Sequence, residues 1–276
     1  MHIGVTVGLT DRSIGPAELA RALEERGFYS LYVSEHTHIP TSSRVSGVTG
    51  ERIPEYCKHL LDPFTALATA VAVTSELRVG TGICLVAQHD PIALAKAVAT
   101  LDHLSKGRFT LGVGFGWNRD EIKHHRIAYA RRRDIVWEYL AAMRNLWQPE
   151  PAGFEGEFIS FGPSEAWPKP ANGSVPILIG APAGPRLFER IATHADGWMP
   201  IGARGLSQHL PVLRGLFAEA GRDESLPRVT PSGTLPSRGK LEHLRQLGVT
   251  EVLCQLPSGP ADEVLPVLDE YAQYIE

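Results

Sequence analysis

Short apolar runs alternate with stretches of helical spacing along the whole chain. The runs Ile3–Leu9, Ser30–Glu35, Leu77–Ile83, Phe109–Val113, Val175–Ile179, Gly197–Ile201, Val229–Gly233 and Glu251–Gln255 have strand length and predict eight buried strands. Between them, apolar residues recur every three or four positions, as in Leu19-Ala22-Leu23, Leu94-Val98-Leu101, Ile135-Tyr139-Met143 and Leu210-Leu213-Phe217. Each such stretch predicts an amphipathic helix. Strand–helix alternation requires a parallel sheet, and eight pairs in 276 residues predict an α/β chain folded as one (β/α)8 TIM barrel over 1–276. An open doubly wound sheet is the alternative, because the pattern does not encode strand order. Two connections, Thr37–His59 and Pro149–Ser174, exceed ordinary loop length and are expected to cover or shape a site.

Composition removes several classes of partner. A net charge of −4, with 43% hydrophobic and 21% charged residues, gives no reason to expect nucleic acid or an anionic membrane. The longest basic run, Arg131–Arg133, reads as a solvated face at a helix start. Cys57, Cys84 and Cys254 lie far apart without a CxxC, so no disulfide framework or metal knuckle is expected. The N-terminal run lacks a basic leader, and no apolar stretch approaches the ~20 residues of a membrane span. A cytoplasmic location is the expectation.

Three segments carry candidate chemistry. Arg108–Glu121 reads RFTLGVGFGWNRDE: a buried strand opening into Gly114, Gly116 and Trp117. Glycines at a strand mouth let backbone approach a flat ligand, and Trp supplies an apolar wall. The second strand ends in Ser34-Glu35-His36, which places an imidazole at the mouth of a barrel, where it can exchange a proton with a bound molecule. Glu35 is the candidate partner of His36. His36 and His38 also form an HxH, readable as a metal pair, although the other strand ends supply glycine rather than ligands. The fifth strand runs into Gly180-Ala181-Pro182-Ala183-Gly184-Pro185 and then a helix, which suits a phosphate or carboxylate at the helix N-terminus.

Taken in order, these pieces resemble the luciferase-like monooxygenase superfamily, and within it the branch that uses the deazaflavin coenzyme F420. The matching residues are Ser34-Glu35-His36, Val79-Gly80-Thr81-Gly82-Ile83, Leu101–Phe109 leading into Leu111–Trp117, Pro176–Gly180 and Ala195-Asp196-Gly197-Trp198. The resemblance implies a deazaflavin, or alternatively FMN, lying across the carboxyl ends of the strands. It implies a cis peptide at Gly82–Ile83 beneath the ring, His36 near the ring, and the phosphate held by the Ala181–Gly184 loop. Gly114, Gly116, Trp117 and Gly180 complete the expected cofactor contacts. Trp117 stands where a sugar-phosphate dehydrogenase relative carries a catalytic Glu, with Glu121 the nearest acidic residue. The chain is also shorter than the long luciferases. The implied activity is hydride transfer to or from a small organic substrate by a homodimer. An FMN-dependent monooxygenase, a flavoprotein without turnover and a metal-dependent hydrolase are the alternatives.

Overall fold

All eight predicted strands form, and they pair in parallel around a barrel. The computed structural model describes residues 1–47, 50–223 and 227–275. Its elements run β1 (His2–Val7), α1 (Pro16–Glu25), β2 (Ser30–Val33), α2 (Pro63–Val71), β3 (Arg78–Thr81), α3 (Pro91–Leu104), β4 (Phe109–Gly114), α4 (Arg119–His124) and α5 (Arg132–Leu146). There follow β5 (Ala152–Glu155), β6 (Ser160–Ser164), β7 (Ile177–Gly180), α6 (Pro185–His194), β8 (Gly197–Trp198), α7 (Leu206–Glu219), β9 (Arg228–Val229), α8 (Arg238–Gln246), β10 (Glu251–Gln255) and α9 (Ala261–Ala272). The sheet order is β10-β1-β2-β3-β4-β7-β8-β9. Hydrogen bonds from Leu253 N to Pro231 O (2.9 Å) and from Thr234 N to Leu253 O (3.0 Å) join the last strand to the segment after β9. The sheet therefore closes, and the open-sheet alternative is excluded.

The helices start where local chemistry says they should. Proline opens α1, α2, α3 and α6, where its missing N–H costs nothing. The Asp62 and Asp90 side chains accept from Thr65 N (2.7 Å) and Ala93 N (2.8 Å), caps worth about 1 kcal/mol each. The periodicity misses two elements. One is the one-and-a-half-turn α4, too short to show a helical stripe. The other is the hairpin β5–β6, which lies inside the long connection Pro149–Ser174. No described helix is long and apolar enough to cross a membrane.

Among the described residues, two clusters make the core. The larger lies between the strands and the surrounding helices. The smaller fills the barrel axis with Tyr32, Leu178, Met199 and Leu253, topped by Ile83. The predicted third strand, Leu77–Ile83, stops short at Thr81 because the chain bulges there. Gly80 pairs with Thr110 and Cys84 with Val113, so four steps on one strand oppose three on the other, which is one extra residue. The Gly82–Ile83 peptide within this bulge is cis, as the resemblance implies.

The strand glycines answer to this packing. A Cβ on Gly80 would sit 2.4 Å from the Tyr32 ring. One on Gly112 would sit 2.0 Å from the Thr81 carbonyl oxygen, a backbone atom that cannot swing aside. Gly112→Ala is therefore expected to lower the melting temperature, overpacking of this kind costing about 1–3 kcal/mol. An unchanged melting curve would show that the β3–β4 spacing can yield.

Candidate active site

The chain leaves β2 through Ser34-Glu35-His36, at the carboxyl end of the barrel where parallel-barrel sites lie. His36 Nδ1 stands 2.8 Å from Oε2 of Glu121, a residue 85 positions away on the first turn of α4. Their side chains are 10% and 1% exposed, so the pair is shielded from water on the carboxylate side. Glu121 Oε1 accepts the backbone N–H of Thr37 at 3.1 Å. An ionised carboxylate only accepts, so the shared proton belongs on His36 Nδ1. Nε2 has no protein partner among the described residues. Trp117 meets the His36 ring edge-on, with centroids 5.4 Å apart.

Glu35 is not the partner of His36, contrary to the sequence-based expectation. Its carboxylate turns away, accepting the backbone N–H of Leu85 and standing 2.7 Å from His89 Nε2. Adjacent residues leaving a strand point to different sides, which is why neighbours in sequence part here. Cys84 completes this second group. The Glu35, Cys84 and His89 donor atoms lie within 4.8 Å of one another. Glu35 and His89 are already engaged with each other, both carboxylate oxygens are occupied, and Cys84 is fully buried beside them. Burial, reinforced by Glu35, pushes that thiol well above its ordinary range. His36 and His38 do not converge either: His36 faces Glu121, whereas His38 faces Thr37 and His124.

Burial alone would lower the His89 pKa, but the Glu35 carboxylate outweighs it and the value is raised. A raised folded-state value means a stabilising contribution that is complete below the ordinary histidine value of 6.5 and is lost as pH rises through the folded value. His89→Asn is thus expected to lower the melting temperature more at about pH 5.5 than at about pH 8.5. An equal drop at both would show that the charge on His89 contributes nothing.

Ile83 forms the floor of the mouth. Gly114 and Gly180 pair across β4 and β7, and a Cβ on either would collide with the Ile83 side chain, at 2.1 and 2.7 Å. The room these two glycines leave is thus filled by Ile83. Gly116 takes a left-handed φ of +73°, and its carbonyl accepts from Arg132 Nε at 3.1 Å. Arg132 also lies 3.6 Å over the Tyr129 ring, so this part of the basic run braces the mouth instead of facing solvent.

On the opposite side, Ala181 O accepts from Trp198 Nε1 at 2.9 Å, fixing the start of the loop. Ala183 and Gly184 lead into α6, whose N-terminus has no side-chain cap, and nothing lies within 4 Å of where a Gly184 Cβ would stand. Its first-turn N–H groups are available to an anion. The long connection Thr37–His59 folds over the mouth as an antiparallel flap, with Val45 opposite Arg52 and Gly47 against Trp117. Val48 and Thr49 of that connection lie outside the described residues. Ser43 Oγ ties the flap to Asn118 Oδ1 at 2.9 Å.

Sequence reasoning named Glu121 only as the acidic residue nearest Trp117 and missed it as the partner of His36, although a local signal exists. Asn118-Arg119-Asp120-Glu121 has capping-box spacing, and Asn118 Oδ1 does accept from Asp120 N and Glu121 N. The carboxylate that would close the box reaches across to Thr37 and His36 instead.

Residues 16–246 match the family profile described as luciferase-like monooxygenase. An uncharacterized protein of Mycobacterium tuberculosis, Rv0953c, is 43% identical over 276 residues, covering 99% of this chain and 98% of that one. The F420-dependent glucose-6-phosphate dehydrogenase of Nakamurella multipartita is 32% identical over 231 residues, 75% of this chain and 60% of that enzyme. Among solved structures, the monooxygenase RslO1 of Streptomyces bottropensis superposes with a TM-score of 0.79 at 21% identity, over 100% of this chain and 98% of that one. A closed parallel barrel, a cis bulge just after β3 and a histidine just beyond β2 accompany a profile match over most of the chain: it belongs to the luciferase-like monooxygenase family.

Proposed function

We propose that this chain is a coenzyme F420-dependent oxidoreductase that moves a hydride between the deazaflavin and a small organic substrate. The carrying observation is His36, anchored through Nδ1 by a buried carboxylate and open at Nε2. Hydride transfer to or from an oxygen-bearing carbon needs a partner for the oxygen's proton, and an imidazole held in one tautomer is suited to that task. The bound deazaflavin would supply the hydride chemistry; the protein supplies orientation, electrostatics and exclusion of water.

The residues present fit such a group. Ile83 offers an apolar floor, Trp117 a wall beside His36, and the uncapped start of α6 a place for phosphate. Glu35 then acts at one remove, holding the Leu85 backbone just beyond the bulge. Ile201 and Leu235, 80% and 64% exposed beyond β8 and β9, give the rim an apolar side for the substrate. A single barrel unit, a homodimeric assembly and a cytoplasmic location belong to the same proposal.

Gly184→Asp tests the phosphate end. Its φ of 177° is extended backbone that any residue adopts, so folding should be preserved. The added carboxylate should weaken F420 binding by repulsion and bulk, by on the order of tenfold. Unchanged affinity in a folded variant would put the phosphate elsewhere. The activity itself is tested by mixing enzyme, oxidised F420 and a panel of small alcohols, then following loss of deazaflavin absorbance. Bleaching with one class supports the proposal. Oxygen consumption with reduced FMN and no bleaching would support the monooxygenase alternative.

A further inference from the structure

His38 Nε2 lies 2.8 Å from His124 Nδ1, with ring centroids 5.1 Å apart and planes 11° from parallel. At that separation the two nitrogens can be so close only if both lie on the line joining the ring centres. The rings are therefore end to end in one plane rather than face to face. The N–H of one points straight at the lone pair of the other. This pair does not stand alone. His38 Nδ1 is 3.0 Å from Thr37 Oγ1, which is 3.4 Å from Glu121 Oε1, and Glu121 Oε2 is 2.8 Å from His36 Nδ1.

We propose that His124, His38, Thr37 and Glu121 form a proton route between solvent and His36. It deepens the acid–base role proposed for His36 and rests on that reading for its use. The route ends outward at His124, which is exposed, and inward at Glu121, which is buried. Thr37 itself is exposed at the mouth, where a seated ligand would cover it, whereas His124 stands at the far end of α4.

The outward steps balance. A proton taken by His36 Nε2 is matched by loss of the Nδ1 proton to Glu121 Oε2. A half-turn of the carboxyl presents that proton to Thr37 Oγ1, whose own proton passes to His38 Nδ1. His38 gives its Nε2 proton to His124 Nδ1, and His124 releases its Nε2 proton to water. Each group gains one proton and loses one, so the net change is one proton moved from the mouth to solvent. The imidazoles end in their other tautomers and return when water removes the proton from one nitrogen and supplies one to the other. Reduction of a substrate runs the same steps backwards.

The surroundings suit the route. His125 Nε2 lies 2.8 Å from Thr37 Oγ1; burial first, and then the nearby His38, lower its pKa, so it supports the hydroxyl as a neutral ring. Gln88 Oε1 stands 3.5 Å from the same hydroxyl. Glu35 and His89 act on His125 from the β2 and β3 ends, and hydrogen bonds from Ser42 and Ser43, with His124 beside them, hold Asp120 below its ordinary value. Lys123 precedes His124 on the same helix.

The test follows the His36 Nδ1 proton by NMR in the histidine-labelled protein and measures its exchange with water. Imidazole is a far better proton acceptor than water at neutral pH, so His38 should speed exchange even when water reaches Thr37. Thr37→Val and His38→Phe should each slow exchange by on the order of tenfold, about the worth of one lost hydrogen-bonded link. Thr37→Ser should restore it. Mere loosening of the fold would speed exchange, so structural damage reads with the opposite sign. Wild-type or faster exchange in His38→Phe, or in a folded Thr37→Val, overturns the route. No cofactor or substrate enters this measurement, so its failure and that of the proposed activity are told apart.

Discussion

Replacing His36 with alanine is expected to lower turnover by at least about 10²-fold, the range for a lost general acid or base. The expectation follows from geometry: Nδ1 is bound to a carboxylate that is 1% exposed, and Nε2 is the nitrogen left to face the mouth. Cofactor affinity should change far less, because the uncapped N-terminus of α6, the loop at Ala181–Gly184 and the Ile83 floor are all intact in the variant. Steady-state kinetics beside a binding titration and a melting curve separates the possibilities. If His36 were only a packing residue, the variant would melt earlier while each folded molecule kept its rate. That pattern would remove His36 from the chemistry.

Glu121→Gln should lower turnover and stability together. The carboxylate accepts from His36 Nδ1 at one oxygen and from the Thr37 backbone at the other. An amide of the same size has one oxygen, so one of those two donors must then face an NH2 group. A buried donor left unsatisfied costs about 1–3 kcal/mol. A loss of one to two orders of magnitude in rate is expected from misplacement of the imidazole, since about 1.4 kcal/mol is tenfold. These two readouts, lowered together, distinguish this residue from His36, whose removal should act chiefly on rate. A variant with wild-type rate and a lowered melting temperature would make Glu121 a structural capping residue only.

Much of the fold was legible because it rests on periodicity. Eight apolar runs predicted eight strands, and the parallel pairing followed from the helices between them. The ends of β3 and β8 were harder, because the bulge at Gly82–Ile83 and the irregular stretch after Trp198 interrupt the regular ladder, which resumes as isolated bridges at Cys84 and Ile201, without changing hydropathy. Glycine was read correctly as a mark of close approach, yet what approaches at Gly80, Gly114 and Gly180 is Tyr32 or Ile83. The site was half legible. His36 stands out by its place after β2. Its partner lies 85 residues on, in a six-residue helix that carries no stripe of its own, and the more obvious neighbour Glu35 turns the other way. Adjacency in sequence pointed to Glu35. The spacing from Asn118 to Glu121 marked the correct carboxylate, but only as a helix start.

Titration of the purified protein with F420 and with FMN, side by side under one set of conditions, is the most direct measurement of what this site is for. Deazaflavin hydride transfer predicts that F420 quenches protein fluorescence at the lower concentration, with Trp117 beside the ring as the reporter. Equal affinities, or tighter binding of FMN, would contradict it and assign the anchored His36 to oxygen chemistry instead.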